Sequence, residues 1–347
     1  MPTLSLDQLF TDAAQKNASD LHLVTGRQVF IRLYGELKPI TEEALTSEDI
    51  QKLIYDILKP EVRAQLEKAR ELDTSHQINN GTRFRINVFY EKNNLALSAR
   101  VIPTQIPAPE EINLPEVVQN LTLLDYGLVL FTGPTGSGKS TSIASLLEMI
   151  NLQKSVNIIT LEDPIEFLIE SKKSLVQQRQ LGSDMLSFVE GLKHVLRQDP
   201  NVIMVGEMRD LETIAATITL AETGHLVFAT LHTNNAAETV DRIVDVFPPH
   251  QQNQIRSQLS SSLRAVISQR LLPLRRGGLR AVHEILINNS AVANLIRENK
   301  IAQIKSVIQT SANQGMISLE RSIKQILQQG LISSEVAGHY FTELNDD

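Results

Sequence analysis

The sequence predicts an α/β protein of two domains, a small α+β domain followed by a parallel sheet covered by helices. Three observations predict it. A stretch with four prolines, Pro103 to Pro115, separates two parts of different pattern. Before it, short alternating runs mix with amphipathic ones. After it, apolar runs at Leu128, Ile158, Val202 and Val227 alternate with helical segments, the mark of buried parallel strands joined by crossover helices. Between the first of these runs and the helix that follows stands the loop Gly133-Pro134-Thr135-Gly136-Ser137-Gly138-Lys139-Ser140-Thr141. The expected boundaries are 1–102 for the first domain, 103–115 for the linker and 116–347 for the second, with a helical part from about residue 257. A chain of 347 residues suits two cores better than one.

Taken in order, Leu6 to Lys16 has a helical apolar spacing and stops near Asn17, and Leu21 to Val24 and Val29 to Leu33 alternate as short strands. Ile50 to Ile57 and Pro60 to Leu72 read as helices. Thr82 to Phe89 and Leu95 to Ile102 read as strands joined by the polar turn Glu91-Lys92-Asn93-Asn94. In the second domain Leu128-Val129-Leu130-Phe131 reads as a buried strand, and Ile143, Leu146, Leu147 and Ile150 recur at helical spacing after the loop. Together they predict a RecA-like core. Further on, Ile255, Leu259, Leu263, Val266 and Ile267 share one face of an expected helix.

Composition narrows the function. The apolar fraction of 42% and charged fraction of 21% are those of a globular protein, and no apolar run approaches the ~18 residues of a membrane span. The first ten residues carry Asp7 and no Lys or Arg, so no signal peptide is expected and the protein is placed in the cytoplasm. Without cysteine there is no disulfide, thiol catalysis or thiolate metal site. A net charge of −7 speaks against a general nucleic-acid binder.

The glycine-rich loop is a complete Walker A motif in its proper strand–loop–helix setting. Its backbone N–H groups and the helix N-terminus suit a phosphate chain. Lys139 reaches the β- and γ-phosphates of ATP, and the Ser140 hydroxyl ligates Mg²⁺. Hydrolysis also needs a positioned water and charge to offset what develops on the transferred group. Val202 to Glu207 is a buried strand ending in an acid, so Glu207 is expected at the carboxyl edge of the sheet, polarising the attacking water or holding the metal through water. Asn157 to Leu161 is a second strand, ending in Glu162 and Asp163, so a second acidic strand end flanks the phosphate site and Glu162 is a further catalytic candidate. His232, at the carboxyl end of the Leu226 to Ala229 strand, suits a γ-phosphate sensor, whereas His225 at the other end suits a structural or intersubunit role.

In combination, the Walker A loop, Thr160 to Phe167, Leu196-Arg197-Gln198-Asp199-Pro200, Val205 to Asp210 and Thr223-Gly224-His225 through His232 closely resemble the secretion ATPases of type II secretion and type IV pili, and among them the PilT-type pilus retraction ATPases. The resemblance runs from Ala18-Ser19-Asp20-Leu21-His22-Leu23 to the C-terminus. It implies a PAS-like N-terminal domain, a RecA-like ATPase domain and a homo-hexamer that binds ATP between domains. It further implies docking on an inner-membrane pilus platform, with a paralogous accessory ATPase as a further partner and no nucleic acid. Arg85 and Arg100 match the family's N-domain arginines, which such rings place over the nucleotide of another domain; Arg83 shares the strand face of Arg85. Three departures stand out. Ala293 replaces the first arginine of the retraction-associated motif, Lys193 stands where an arginine is expected, and Asn201 replaces an aspartate.

The resemblance thus implies an ATP-driven motor for pilus retraction and twitching. The neighbouring readings are a PilU-type accessory retraction ATPase and a pilus assembly or type II secretion ATPase. Assembly relatives usually carry an extra N-terminal domain and a four-cysteine zinc element. A RecA-like nucleic-acid translocase would share the loop but should show a basic groove or stacking aromatics, and aromatic content is 4% with no Trp. A nonhydrolysing scaffold would not need Glu162, Glu207 and Lys139 together.

Overall fold

A computed structural model describes residues 5–33, 36–79, 81–102 and 105–346, without the side chains of 342–346. The chain forms two compact units, Met1–Gln105 and Ile106–Asp347. Pro103 and Thr104 of the expected linker lie outside the described residues.

The first unit contains strands β1 (Asp20–Leu23), β2 (Phe30–Leu33), β3 (Glu36–Pro39), β4 (Glu71–Gln77), β5 (Arg83–Glu91) and β6 (Asn94–Ile102), with helices α1 (Leu6–Gln15), α2 (Ser47–Ile57) and α3 (Pro60–Ala69). The strands pair antiparallel in the order β3-β2-β1-β6-β5-β4. Period-2 alternation decides its faces. Leu21, Leu23, Phe84, Ile86, Val88, Leu97 and Ala99 join the helices in one core. Asp20, His22, Arg85, Asn87, Ser98 and Arg100, the residues between them, therefore lie on the opposite face. Reciprocal capping boxes start α1 (Ser5 with Gln8) and α2 (Thr46 with Asp49). The β5–β6 turn uses Lys92 at φ 49° and Asn93 at φ 65°, the two positive values a tight hairpin of primed type requires. Leu72, expected to close α3, instead belongs to β4, because Arg70 at φ 66° ends the helix in the left-handed region.

The second unit contains β7 (Gly127–Thr132), β8 (Asn157–Glu162), β9 (Leu175–Gln180), β10 (Val202–Val205), β11 (Leu226–Leu231), β12 (Leu263–Pro273) and β13 (Leu279–Ile287). Its helices are α4 (Glu116–Gln119), α5 (Lys139–Gln153), α6 (Phe188–Val195), α7 (Leu211–Glu222), α8 (Ala236–Asp245), α9 (Pro249–Ser262), α10 (Ser290–Arg297), α11 (Ile304–Thr310), α12 (Leu319–Gln328) and α13 (Ser334–Asp346). Six strands run parallel in the order β12-β7-β11-β10-β8-β9, and β13 adds antiparallel at the β12 edge. Helices cover both faces. Leu128, Leu130, Ile203, Val205, Val227 and Ala229 pack with residues of α6 to α11, while Val129, Phe131, Val202, Met204 and Phe228 pack with Ile143, Leu146, Leu147 and Ile150 of α5.

The expected helical region from about residue 257 requires correction. Helix α9 ends at Ser262, and Leu263, Val266 and Ile267 lie on β12. The apolar spacing of Ile255, Leu259 and Leu263 runs unbroken across the junction without glycine or proline, so periodicity carried the helix too far. Burial of both faces of β12 removes the alternation that would have exposed the strand.

In the first unit Phe84 is wholly buried and stacks on Phe10 with centroids 4.2 Å apart. Phe84→Ala is expected to lower stability by about 3–5 kcal/mol, measured as a lower urea midpoint with little change in slope.

Candidate functional site

The site grows from the carboxyl ends of four adjacent parallel strands, β7, β11, β10 and β8. The Walker A loop leaves β7 and enters α5. Gly133, Gly136 and Gly138 have φ of 136°, 79° and 88°, a region that L side chains rarely occupy. Close packing adds a second reason at the outer two. A Cβ on Gly133 would stand 2.4 Å from the Gln269 carbonyl oxygen, and one on Gly138 would stand 2.7 Å from the Gln269 side-chain nitrogen. No such neighbour stands near Gly136, and Pro134, Thr135 and Gly136 form the exposed lip of the loop. No side chain caps the first turn of α5. The loop thus presents uncapped backbone N–H groups and the positive end of a helix, which fits a phosphate chain.

Gln269 holds this loop open. Buried on β12, it donates from Nε2 to the Ser137 carbonyl at 2.7 Å and accepts from the Ser142 hydroxyl at 2.9 Å. Beneath it the Thr132 and Ser268 hydroxyls share a hydrogen bond of 2.7 Å. Gln269 is hidden in the sequence because its segment carries helical spacing; the polar pair Ser268-Gln269 inside an apolar run is the available signal.

Lys139 is buried and donates from Nζ to the carbonyls of Gly133 at 2.7 Å and Pro134 at 3.0 Å. Burial pulls its pKa below the usual lysine value, against the raising effect of Glu207 and Glu166. Two acids therefore act on this cation. Glu166 lies within the Thr160 to Phe167 motif, where nothing in the sequence gives it a role of its own.

Beyond β10, Glu207 accepts from Arg209 Nε at 2.8 Å, and Arg209 also lies 3.6 Å from Asp163. His232 Nε2, just past β11, stands 3.5 Å from Glu207 Oε1. The Met208 N–H donates to the Thr230 carbonyl at 3.1 Å, and the Thr230 hydroxyl donates to the Gly206 carbonyl. Two bonds thus tie the Glu207 turn to β11. The structure brings Glu207, His232 and the loop lysine into one set.

Glu162, at the end of β8, is turned inward. Its carboxylate accepts from the Thr160 hydroxyl at 2.6 Å and from Gln178 at 3.0 Å. Burial raises its pKa, opposed by these bonds and by one from the Glu166 backbone. His225 bonds the Leu220 carbonyl at 2.9 Å, joining the end of α7 to β11.

In the first unit Arg85 and Arg100 are exposed and sit directly opposite each other on β5 and β6. Like charges in that position repel. Buried Asp20 on β1 offsets them, accepting from Arg100 Nε at 2.9 Å, with Arg32 of β2 at 3.7 Å from the same carboxylate. Arg83 donates to the Ser75 hydroxyl at 2.8 Å. Of the departures, Asn201 accepts from the Asn157 N–H at 2.8 Å and so anchors the start of β8, and Lys193 pairs with Glu190 on the exposed side of α6. Ala293 lies half-buried on α10.

A Walker A loop on a parallel sheet of RecA type, with acids and a histidine at neighbouring strand ends, defines a P-loop ATPase. Residues 2–277 match the family described as Type II/IV secretion system protein. The chain belongs to that family. It is 46% identical over 334 residues to the type IV pilus retraction ATPase PilT of Pseudomonas aeruginosa, covering 96% of this chain and 97% of that one. It is 47% identical over 308 residues to a twitching motility protein of Neisseria gonorrhoeae, covering 88% and 82%. Among solved structures it is similar to the pilus retraction motor PilT with bound ADP, at a TM-score of 0.91 and 45% identity, covering 96% of each chain. Among the described residues no helix is long and apolar enough to cross a membrane.

Two substitutions probe this geometry. Gln269→Ala leaves the Ser137 carbonyl and Ser142 hydroxyl without their partner, and should weaken ADP binding about tenfold or more in a fluorescent-nucleotide titration of folded protein. Glu162 carries a raised pKa, so its folded form favours the proton. Its contribution to stability is present below the ordinary carboxylate range and is lost as pH rises through the folded value. Glu162→Gln should therefore gain thermal stability relative to wild type between pH 5 and pH 8, and converge with it below about pH 4.

Proposed function

We propose that this chain is the subunit of a six-membered ATP-hydrolysing ring that powers type IV pilus retraction and hence twitching. The observation that carries the reading is the conjunction of the braced Walker A loop with Glu207 and His232, in a chain that matches a retraction ATPase over 96% of its length.

On ATP binding Lys139 exchanges the Gly133 and Pro134 carbonyls for the β- and γ-phosphates, and the N–H groups of the loop from Gly133 to Thr141 surround the chain. The Ser140 hydroxyl and Glu207 would hold a Mg²⁺ ion, which would offset charge on the phosphates. Glu207 polarises the attacking water and takes its proton as the bond from the γ-phosphorus to the β,γ-bridging oxygen breaks, giving ADP and phosphate. His232 senses the γ-phosphate beside Glu207. Glu162 bonds Gln178 and the Glu166 backbone, fixing the segment that carries Glu166 toward Lys139.

Arg85 and Arg100 come from a neighbouring copy and offset the charge that builds on the transferred group. The ring works in the cytoplasm, peripherally on an inner-membrane pilus platform, alone or with a paralogous accessory ATPase.

Replacing the gene with its Lys139→Ala version should leave the host covered with excess pili and unable to twitch, scored by electron microscopy and stab assay. Bald cells would assign the motor to extension. In vitro, Glu207→Gln should retain ATP binding with turnover lower by about 10²-fold or more; near-normal turnover would remove Glu207 from the role of base.

A further inference from the structure

A second charged cavity lies in the same unit, built by other elements. It is a cleft of about 340 Å³ between β13, α12 and the segments around Asn113 and Gly315. Arg280 and His283 of β13 and Arg321 of α12 line it, and none of its lining residues is acidic. Neither guanidinium makes a hydrogen bond or ion pair among the described residues. The adjoining cleft contains Glu320, which is committed to Lys324. Arg280 is half-buried and Arg321 exposed, so both stay charged in water, and no lining group of the cleft supplies a negative partner for either.

His283 strengthens the case. It is 3% exposed and its Nε2 has no hydrogen-bond partner, whereas buried polar atoms are nearly always paired. Burial, with Arg280 adding to it, pushes its pKa down to about 4, so at neutral pH it brings hydrogen-bonding capacity without charge. Its backbone N–H donates to the Ser322 hydroxyl at 3.2 Å, which ties β13 to α12 across the cleft floor. The remaining wall is apolar at Val117, Ile285 and Ile326 and can seat a small organic body.

We propose that this cleft binds a small phosphate monoester, its dianionic head held between Arg280 and Arg321 and its body against the apolar wall. Charge selects the class. Two guanidiniums and a neutral imidazole balance a group of charge near −2 with three acceptor oxygens, which a phosphate monoester carries at pH 7 and a carboxylate does not. The cleft also has a route to the ATPase site, since His283 is the cross-strand neighbour of Gln269, the brace of the Walker A loop.

The test uses the full chain carrying Lys139→Ala, so that the nucleotide loop does not compete for the probe. Inorganic phosphate is titrated and followed by ³¹P line broadening, with acetate at matched ionic strength as competitor. Saturable binding is expected, weakened at least about tenfold by Arg280→Gln and likewise by Arg321→Gln, with acetate failing to displace it. Absence of saturable binding, or equal displacement by acetate, would overturn the proposal. Undiminished binding by Arg321→Gln, an exposed helical position that folding tolerates, would overturn it as well.

Discussion

The structure depends on one constraint: the N–H groups at the start of α5 must stay free of partners within the chain while the loop that carries them stays fixed. Uncapped helix ends are normally satisfied by a neighbouring side chain, and none caps α5. Rigidity is supplied from the side instead. Gln269 approaches so closely that glycine is required at 133 and 138, and it spends its amide on the far side of the loop, at the Ser137 carbonyl and the Ser142 hydroxyl. Placing that amide requires β12 next to β7, in parallel register from Leu263 to Ser268. The seventh-strand architecture and the phosphate site are thus one arrangement.

Electrostatics around the loop follow a pattern of provisional pairing. Lys139 rests on two loop carbonyls and Glu207 rests on Arg209. Arg209 and His232 are more than a third exposed and Glu207 about a quarter, so such pairs contribute roughly 0–1 kcal/mol each. A polyanion with its metal offers far stronger charge-assisted bonds. The resting pairs can therefore keep polar groups satisfied without holding them against the substrate. Glu162 differs. Deeply buried and held by three hydrogen bonds, it is too costly to rearrange during turnover, which is why a fixed positioning role suits it.

Much of this was legible in the chain. The Walker A loop declared itself because its chemistry is local: glycines, a lysine and a hydroxyl within nine residues, set between an apolar strand and a helix. Glu207 and His232 were legible because a buried parallel strand is a short apolar run whose end marks the ligand-binding edge. Gln269 was not, since its function arises from the pairing of β12 with β7, a contact between residues more than a hundred positions apart, and since continuous burial made its strand look like a helix. The inward turn of Glu162 was hidden for a related reason: its partner Gln178 stands on β9, and nothing in the run Thr160 to Asp163 says which way the side chain points. The opposition of Arg85 and Arg100 could be read from alternation, but their charge compensation by Asp20 required the register of β1 on β6.

Central to the proposed function is a catalytic site shared between copies of the chain, with Glu207 from one and Arg85 and Arg100 from another. The direct measurement mixes two inactive proteins, Glu207→Gln and the double variant Arg85→Ala/Arg100→Ala, and follows phosphate release. In the proposed ring, mixing brings some intact Glu207 side chains against intact arginines, so the mixture should recover a substantial fraction of wild-type turnover. A mixture as inactive as its separate components would contradict the shared site.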